Sequence, residues 1–527
     1  MNSNSAAPTF TEIQNSYASL IKGLGASRLP WGQTLSEALT VDEFPFWEIF
    51  SAELAYRHLT TAVASVSPVE RVNQGLRPYL LRLKHWIRAM PRHRTVDGCS
   101  SWPAGKIVLC LGFTERMYRD VLEPVVERVI TRNAFSAVVL GEVHQPGKRS
   151  SLKGKCVYQT PSQHWDAHAE DRVRHLRHAL AQIEKRFRSS NALAGLHVGL
   201  DVSLCAALDQ LFHLLFKGYI PLMVPQAVLA KHILDKHRPT IVLSPDTADS
   251  RARVYALLCR QMGIPCLDVQ FGLTGDEAIE WRFFVANGVA VWGNGPKQVL
   301  IKHGVAEEII HVTGSPRHDS LVKPPPEVFD SFRATFGQTV TKKIVVLAST
   351  YTDSAHGDYT DPSILREMKL AIFRAADISP GLLLIVKPHP HENVDETRLL
   401  CGEYRNVMFA EQTSDIRAVI AVSDVFISFG STATIDALIA GKLTVCPIFP
   451  GWPFSDVFRD SGAVLLPQSA EELIALFKKV ETGNFLQEKA SLSRARSEYL
   501  QEISHRPDGL ASARIEKLIL EMIRIEK

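Results

Sequence analysis

The chain has 527 residues, which at roughly 150 per domain means about three units, read in practice as two large domains with extensions. Hydrophobic residues make up 46% of it and charged residues 22%, a globular composition that excludes a disordered or fibrous protein. Lys and Arg outnumber Asp and Glu by only 59 to 56, a net charge of +3, so the whole chain is no polyelectrolyte and no nucleic-acid partner is expected.

Residues 1–99 read as a helical extension dense in aromatics (Trp31, Phe44, Phe46, Trp47, Phe50, Tyr56), and packing onto the domain that follows is their plain reading. Between Glu70 and Asp97 no acidic residue occurs, while Arg71, Arg77, Arg82, Lys84, Arg88, Arg92 and Arg94 lie beside Tyr79, Leu80, Leu83, Trp86 and Ile87. A basic, amphipathic stretch suits peripheral contact with an anionic membrane. A solvated linker helix is the alternative, because Pro78 and Pro91 keep any helix short.

From Lys106, KIVLCLGF is an apolar run, followed by Met117, Val121, Val125, Val129 and Ile130 at helical spacing. Strands at 136–142, 239–246, 264–272, 285–294 and 308–317 alternate with helical segments at 168–187 and from 254. That alternation means a parallel sheet with crossover helices, a Rossmann-like domain over 100–322. Lys323-Pro324-Pro325-Pro326 opens a linker, 323–341. A second α/β series follows over 342–485: KKIVVLAST, PSILREMKLAIFRAA, GLLLIVKPHP, DIRAVIAVSDVFISFG, TATIDALIAGK, LTVCPIFP, GAVLL and AEELIALFKKV. Residues 486–527 are C-terminal helices broken at Arg506-Pro507-Asp508-Gly509. The expected fold is α/β, two Rossmann-like domains facing across a ligand-binding cleft, with a helical N-terminal extension.

The eight cysteines (Cys99, Cys110, Cys156, Cys205, Cys259, Cys266, Cys401, Cys446) form no CxxC pair, so neither a zinc module nor a disulfide framework is indicated. The N-terminus lacks a basic segment followed by an apolar one, and no run of about 18 uncharged apolar residues is found. A cytoplasmic protein is expected, at most peripheral at the inner membrane face.

Two loops of the second domain carry the strongest chemical signals. Ile427-Ser428-Phe429-Gly430-Ser431-Thr432-Ala433-Thr434 is a strand ending in small hydroxylated residues that open a helix. Its amides and hydroxyls suit a phosphate at the positive helix end, with a plain N-cap at Ser431 or Thr432 as the alternative. Lys387-Pro388-His389-Pro390-His391 follows the strand LLLIV, so both loops leave the carboxyl edge of one parallel sheet, where open α/β sheets bind ligands. Two prolines pre-position the His389 ring; a purely structural histidine is the competing reading.

The runs VTGSPRHDSL (312–321), VKPHPHE (386–392), SDVFISFGSTATIDALIAGK (423–442) and RPDGLASARIEKLI (506–519) resemble the GT-B glycosyltransferase-like proteins of bacterial surface polysaccharide synthesis, the capsule and O-antigen transferases, and the related CDP-glycerol glycerophosphotransferases. The resemblance spans about 240–520 and implies a nucleotide-activated donor held by the second domain and an acceptor, a surface-polysaccharide or lipid-linked glycan, held by the first. It aligns Lys387 and His389, with His391 beside them, with a basic-Pro-His-Pro loop near the donor phosphates. Gly430, Ser431 and Thr432 match the phosphate-contacting helix start, and Asp436 the acidic residue one turn on. Gly314, Pro316, Arg317 and Asp319 match a Gly-x-Pro-Arg-x-Asp turn. Where relatives commonly carry Gln-His-Gly, with the histidine a proposed base in the glycerophosphotransferases, this chain has Gln270-Phe271-Gly272.

Transfer to a hydroxyl needs a base and positive charge for the departing phosphate. No Asp-x-Asp is present, so a metal-bridged diphosphate is not expected, and neither a metal nor any other cofactor is called for. Candidate bases are Asp246 and Asp249 after the strand ending in Ser244, then Glu115 after the first strand, with helix capping the alternative for the aspartates. Tyr351, Thr352 and His356 in loop 351–359 either touch donor or form an ordinary polar loop. The expectation is a metal-independent glycosyltransferase. Competing readings are a polyol-phosphate transferase, a UDP-sugar 2-epimerase whose Thr-Glu-Arg-Pro-type signature is missing, and a non-catalytic polysaccharide-assembly protein.

Overall fold

A computed structural model of the chain describes residues 10–63, 102–141, 155–190, 192, 196, 202–273, 279–322, 342–351, 361–390, 392–452 and 458–525. The basic segment 71–94, the linker 323–341, Thr352, His356 and His391 lie outside them. The chain divides into two compact units, one of Met1–Val291, Lys297–His311 and Ala513–Lys527, the other of Trp292–Pro296 and Val312–Ser512.

The first unit is built on seven strands: β1 (Lys106–Gly112), β2 (Phe135–Gly141), β3 (Cys156–Gln159), β4 (Ile241–Ser244), β5 (Cys266–Val269), β6 (Gly288–Val291) and β7 (Ile310–Val312). Their spatial order is β3-β2-β1-β4-β5-β6-β7, and the registered pairs are parallel. The order reverses between β1 and β4, the position where open α/β sheets place ligand crevices. Alternation along β1 sends Ile107, Leu109 and Leu111 to one face and Val108 and Cys110 to the other. The first face belongs to the core that also holds Ile21 of α1 (Phe10–Ala26) and Trp47, Ile49 and Phe50 of α2 (Phe46–Val63). The opposite face meets Val125, Val129 and Ile130 of the 123–132 helix and Ile515, Leu518, Ile519 and Ile523. At the β1–β2 edge a Cβ on Gly141 would lie 1.9 Å from the Gly112 carbonyl oxygen, so only glycine permits that approach.

The elements with no predicted counterpart include β3 and a long helical stretch of the first unit. β3 is an edge strand with only Gln159 buried, too short and mixed to show a period. The helical stretch from Val202 to His237 is apolar nearly all round, so it lacks the stripe by which a surface helix is recognised. Its part Leu208–His237 is, by length and composition, the one described helix able to cross a membrane. Here Leu211, Leu215, Val224, Ala227 and Ile233 are buried in the first unit's core.

The second unit holds β8 (Lys343–Ala348), β9 (Leu382–Lys387), β10 (Val407–Phe409), β11 (Val425–Ser428) and β12 (Leu443–Val445), all parallel, in the order β10-β9-β8-β11-β12. The order reverses again, between β8 and β11. Val345, Leu347, Leu384, Val386 and Ile427 pack on one face with Met368 and Ile372 of α4 (Pro362–Asp377); Val346, Ile385 and Phe426 pack on the other with Ala437 of α5 (Ala433–Ile439). GAVLL, expected as a strand, contributes only an isolated bridge from Leu465 to Val445. The C-terminal helices do not form one group. Residues up to Ser512 belong to the second unit, and from Ala513 the last helix, α6 (Ala511–Ile525), belongs to the first.

Candidate functional site

In the first unit, β4 and β5 run side by side with Ser244 opposite Asp268, and the loops that follow them line a half-open cavity of about 200 Å³. Asp246, Thr247, Asp268, Gln270, Phe271, Glu280, Trp281, Phe284 and Arg253 are among its lining residues. Asp246 accepts the Ala248 amide at 2.8 Å, an Asx-type turn that holds the carboxyl at the strand end. Burial, then the charge of Asp249, pushes this carboxyl up to about 6. Asp268 accepts from Thr247 twice, from the amide at 2.9 Å and from the hydroxyl. Burial pushes Asp268 up to about 7, the Thr247 hydrogen bonds opposing and the Asp246 charge adding. Two carboxyls of raised pKa in one cavity are suited to taking a proton from a hydroxyl near neutral pH.

The other base candidates are engaged elsewhere. Asp249 is the N-cap of α3 (Ser250–Met262), accepting the Arg251 amide at 2.8 Å and chelating the Arg251 guanidinium. Glu115 is exposed and paired with Arg119 one turn on. Asp268 itself is absent from the expected set, although one acid inside the buried strand Cys-Leu-Asp-Val is the signal that marks it.

In the second unit the ends of β9, β8 and β11 bring together three of the expected features. Ala348 at the end of β8 stands opposite Lys387 on one side and Ser428 on the other, so Tyr351, His389 and Gly430–Thr432 all follow adjacent strand ends. The Tyr351 and His389 rings are 4.9 Å apart, tilted by 33°. Gly430 has φ +90°, a left-handed turn that favours glycine and sends the chain into α5. Thr432 makes no side-chain capping bond there, and Ser431 and Thr432 are half-buried.

Lys387, which the resemblance places near the donor phosphates, is turned inward. It is 5% exposed, and its ammonium donates to the carbonyls of Pro388 (2.9 Å) and Gln412 (2.8 Å), which fixes the loop it begins. Gln412 in turn donates to the carbonyls of His389 and Pro390 at 2.8 and 3.0 Å. The loop is closed from within by Glu392, the last residue of the VKPHPHE run. Its buried carboxylate accepts from Ser349 (2.7 Å), Lys369 (2.6 Å), Thr397 (2.6 Å) and the His389 amide (2.9 Å). Lys369 interrupts the apolar face of α4 between Met368 and Ile372, the sequence signal for a buried partner.

Arg317 and Asp436 are likewise no donor contacts. Arg317 chelates Asp436 through Nε at 3.1 Å to both oxygens and through Nη2, and the two side chains are 2% and 0% exposed. Burial by itself would raise the Asp436 carboxyl, but the guanidinium and His318 outweigh it and hold the group far below the usual carboxylate range. His318 Nδ1 lies 3.2 Å from the Ser504 hydroxyl. Asp319 accepts the amides of Ala511 and Ser512, both at 2.9 Å. Three of the motif runs, 312–321, 423–442 and 506–519, thus meet through structural ties. Among the described residues no group of three His, Cys, Asp or Glu is placed to hold a metal ion.

Residues 300–439 match the family model of CDP-Glycerol:Poly(glycerophosphate) glycerophosphotransferase. The matched stretch contains Arg317, the Lys387–Glu392 loop and the Gly430–Asp436 turn and helix. Solved structures similar to the chain include the UDP-GlcNAc 2-epimerase of Neisseria meningitidis bound to UDP-GlcNAc, with 14% identity, TM-score 0.49, and 79% of this chain and 100% of that one covered. The wall teichoic acid polymerase TagF is similar at 11% identity and TM-score 0.49, over 87% of this chain and 99% of that one. The S. aureus MnaA–UDP co-structure is similar at 13% identity and TM-score 0.48, over 80% and 98%. No curated protein matches the chain.

Proposed function

We propose that this chain transfers a sugar from a nucleotide-activated donor to a hydroxyl of a surface-polysaccharide or lipid-linked glycan, without a metal ion, in the cytoplasm. The observation that carries this reading is the cavity at the β4–β5 edge, where Asp246 and Asp268 offer a carboxylate base. Phe271 lines the same cavity, so a carboxylate takes the work that the missing histidine would have done. Asp246 accepts the acceptor proton as the hydroxyl oxygen bonds to the anomeric carbon; the bond from that carbon to the phosphate oxygen breaks and a nucleoside diphosphate leaves. In the second unit the amides of the Gly430 turn and His389 are the groups offered to a donor phosphate, since Lys387 is committed to carbonyls.

A second reading, CDP-glycerol-type transfer, is favoured by the family match over 300–439. In it the acceptor oxygen attacks phosphorus, the phosphoanhydride bond breaks and CMP leaves. One experiment separates them: purified protein is given UDP-, GDP- and CDP-activated sugars and CDP-glycerol, with a glycan acceptor, in excess EDTA, and the released nucleotide is identified by chromatography. Acceptor-dependent release of a nucleoside diphosphate is expected. CMP released from CDP-glycerol selects the second reading, and nucleotide binding without turnover of any donor selects a non-catalytic assembly role. A rate lost in EDTA and restored by Mg²⁺ or Mn²⁺ removes the metal-free mechanism.

A further inference from the structure

One part of the cavity wall, Arg253 and the 279–283 turn, is tied to the N-terminal helices. Arg253 of α3, 1% exposed, lines the cavity and donates Nε to the carbonyls of Glu48 and Ile49, both at 3.1 Å, and Nη2 to Glu48 at 2.8 Å. Its Nη1 donates to the Phe283 carbonyl at 2.6 Å. One guanidinium therefore joins the first turns of α2 to the 279–283 turn, which carries Glu280 and Trp281. From α1, Lys22 lies 5.5 Å from the Phe283 ring centroid, and Asn15 accepts from Arg282. Ser250 at the start of α3 donates to Glu53 of α2 at 2.6 Å. An exposed helical extension would need none of these buried ties.

The lining chemistry selects the ligand. Asp246, Asp268 and Glu280 are acidic, and Arg253, the cation among the described lining residues, points its donors at main-chain carbonyls and the Ser51 hydroxyl. A phosphate would be repelled. Trp281 and Phe284 stack at 6.4 Å and 14°, and with Phe271 they add flat apolar surface. A ligand with an apolar C–H face and a rim of hydroxyl donors meets both conditions. At about 200 Å³ the cavity is below the roughly 300–1,000 Å³ of sites for drug-sized ligands, room for one ring.

We propose that α1 and α2 belong to the acceptor apparatus: through Arg253, Arg282 and Lys22 they hold the 279–284 turn as one wall of a subsite for a single neutral sugar ring of the acceptor. This rests on the transferase reading for the word acceptor, and on the cavity alone for the sugar. Arg253 is then a positioning residue, and the helices set acceptor affinity without acting on the donor.

The test pairs binding with kinetics in the full chain. Saturation-transfer NMR with the methyl glycosides of glucose, galactose and N-acetylglucosamine reads the cavity directly, and nucleotide affinity is measured by calorimetry. Because Arg253→Met removes a buried clamp and risks misfolding, Arg253→Lys and the double variant Asn15→Ala/Lys22→Ala accompany it, with folding checked by circular dichroism. In folded variants the acceptor KM should rise about tenfold or more while kcat stays within about twofold and nucleotide affinity is unchanged, with Arg253→Lys intermediate. Glycoside signal should be lost in Trp281→Ala and reduced in the double variant. Absence of glycoside binding in the wild type, or binding and KM unchanged in folded variants, overturns the proposal. If the wild type turns over no donor yet binds glycosides through Trp281 and loses them in the double variant, the transferase reading fails and the subsite stands.

Discussion

Asp246 and Asp268 illustrate how neighbouring acids of the same kind acquire different work from Asp249. Asp249 spends both oxygens on its own helix start and Arg251, whereas Asp246 and Asp268 are taken out of water beside one another. A carboxyl raised in the folded state binds its proton more tightly there than in the unfolded chain. The folded state therefore holds more protons between about pH 4 and the folded values near 6 and 7, and the two groups reduce stability as pH rises through that window. Such a cost is what a site retained for proton transfer carries. Replacing Asp246 with Asn should lower kcat by about 10²–10⁴, the range for a lost general base. The rising limb of kcat/KM, expected near pH 6 in the wild type, should disappear with it, as a pH–rate profile would record. An unchanged limb in the variant would move the base to another residue.

At the scale of elements, the candidate site of the second unit is a strand end whose loop is locked by charge from behind. The Lys387–Glu392 loop presents His389 because Lys387 and Gln412 hold its carbonyls and Glu392 gathers Ser349, Lys369, Thr397 and the His389 amide. Truncating Glu392 to Ala would leave the Lys369 ammonium buried beside the Thr350 carbonyl alone among its described partners, so a loss of about 3–5 kcal/mol is expected, as for other broken buried pairs. Denaturant unfolding measures it, and nucleotide affinity should fall with it, because the His389 ring loses its support. Much of this was legible in the sequence: the strands before Pro388 and Gly430 announced themselves by apolar runs, and their loops by proline and small hydroxyl residues. The direction of individual charges was not. Lys387, Arg317 and Asp436 look like ligand contacts in a linear motif, yet each is turned inward to a partner 25 or 119 positions away, and spacing within a motif carries no record of such a partner.

For the whole chain, what sequence periodicity misses is membership. The apolar spacing of α6 marks an amphipathic helix, and nothing in it says whose core it serves. In the structure Ile515, Leu518, Ile519 and Ile523 are buried with Val108, Cys110, Val125 and Val129, and Glu516 holds Arg128 at 3.1 Å and Asn133 at 2.9 Å. The first unit therefore closes its second sheet face only with the last residues of the chain, some 200 positions after its own last strand. Burying four aliphatic side chains at about 1.5–3 kcal/mol each is worth roughly 6–12 kcal/mol. That equals most of the about 5–15 kcal/mol that a domain has in total. A chain ending at Leu510 should thus fail to hold the first unit folded, with exposed sheet surface driving aggregation, while Ile519→Ala in the full chain should cost about 2–5 kcal/mol and remain soluble. Size-exclusion chromatography and thermal unfolding of the two variants test this, and a truncated chain that stays monodisperse with an unshifted melting transition would show that α6 contributes little to the first unit's core.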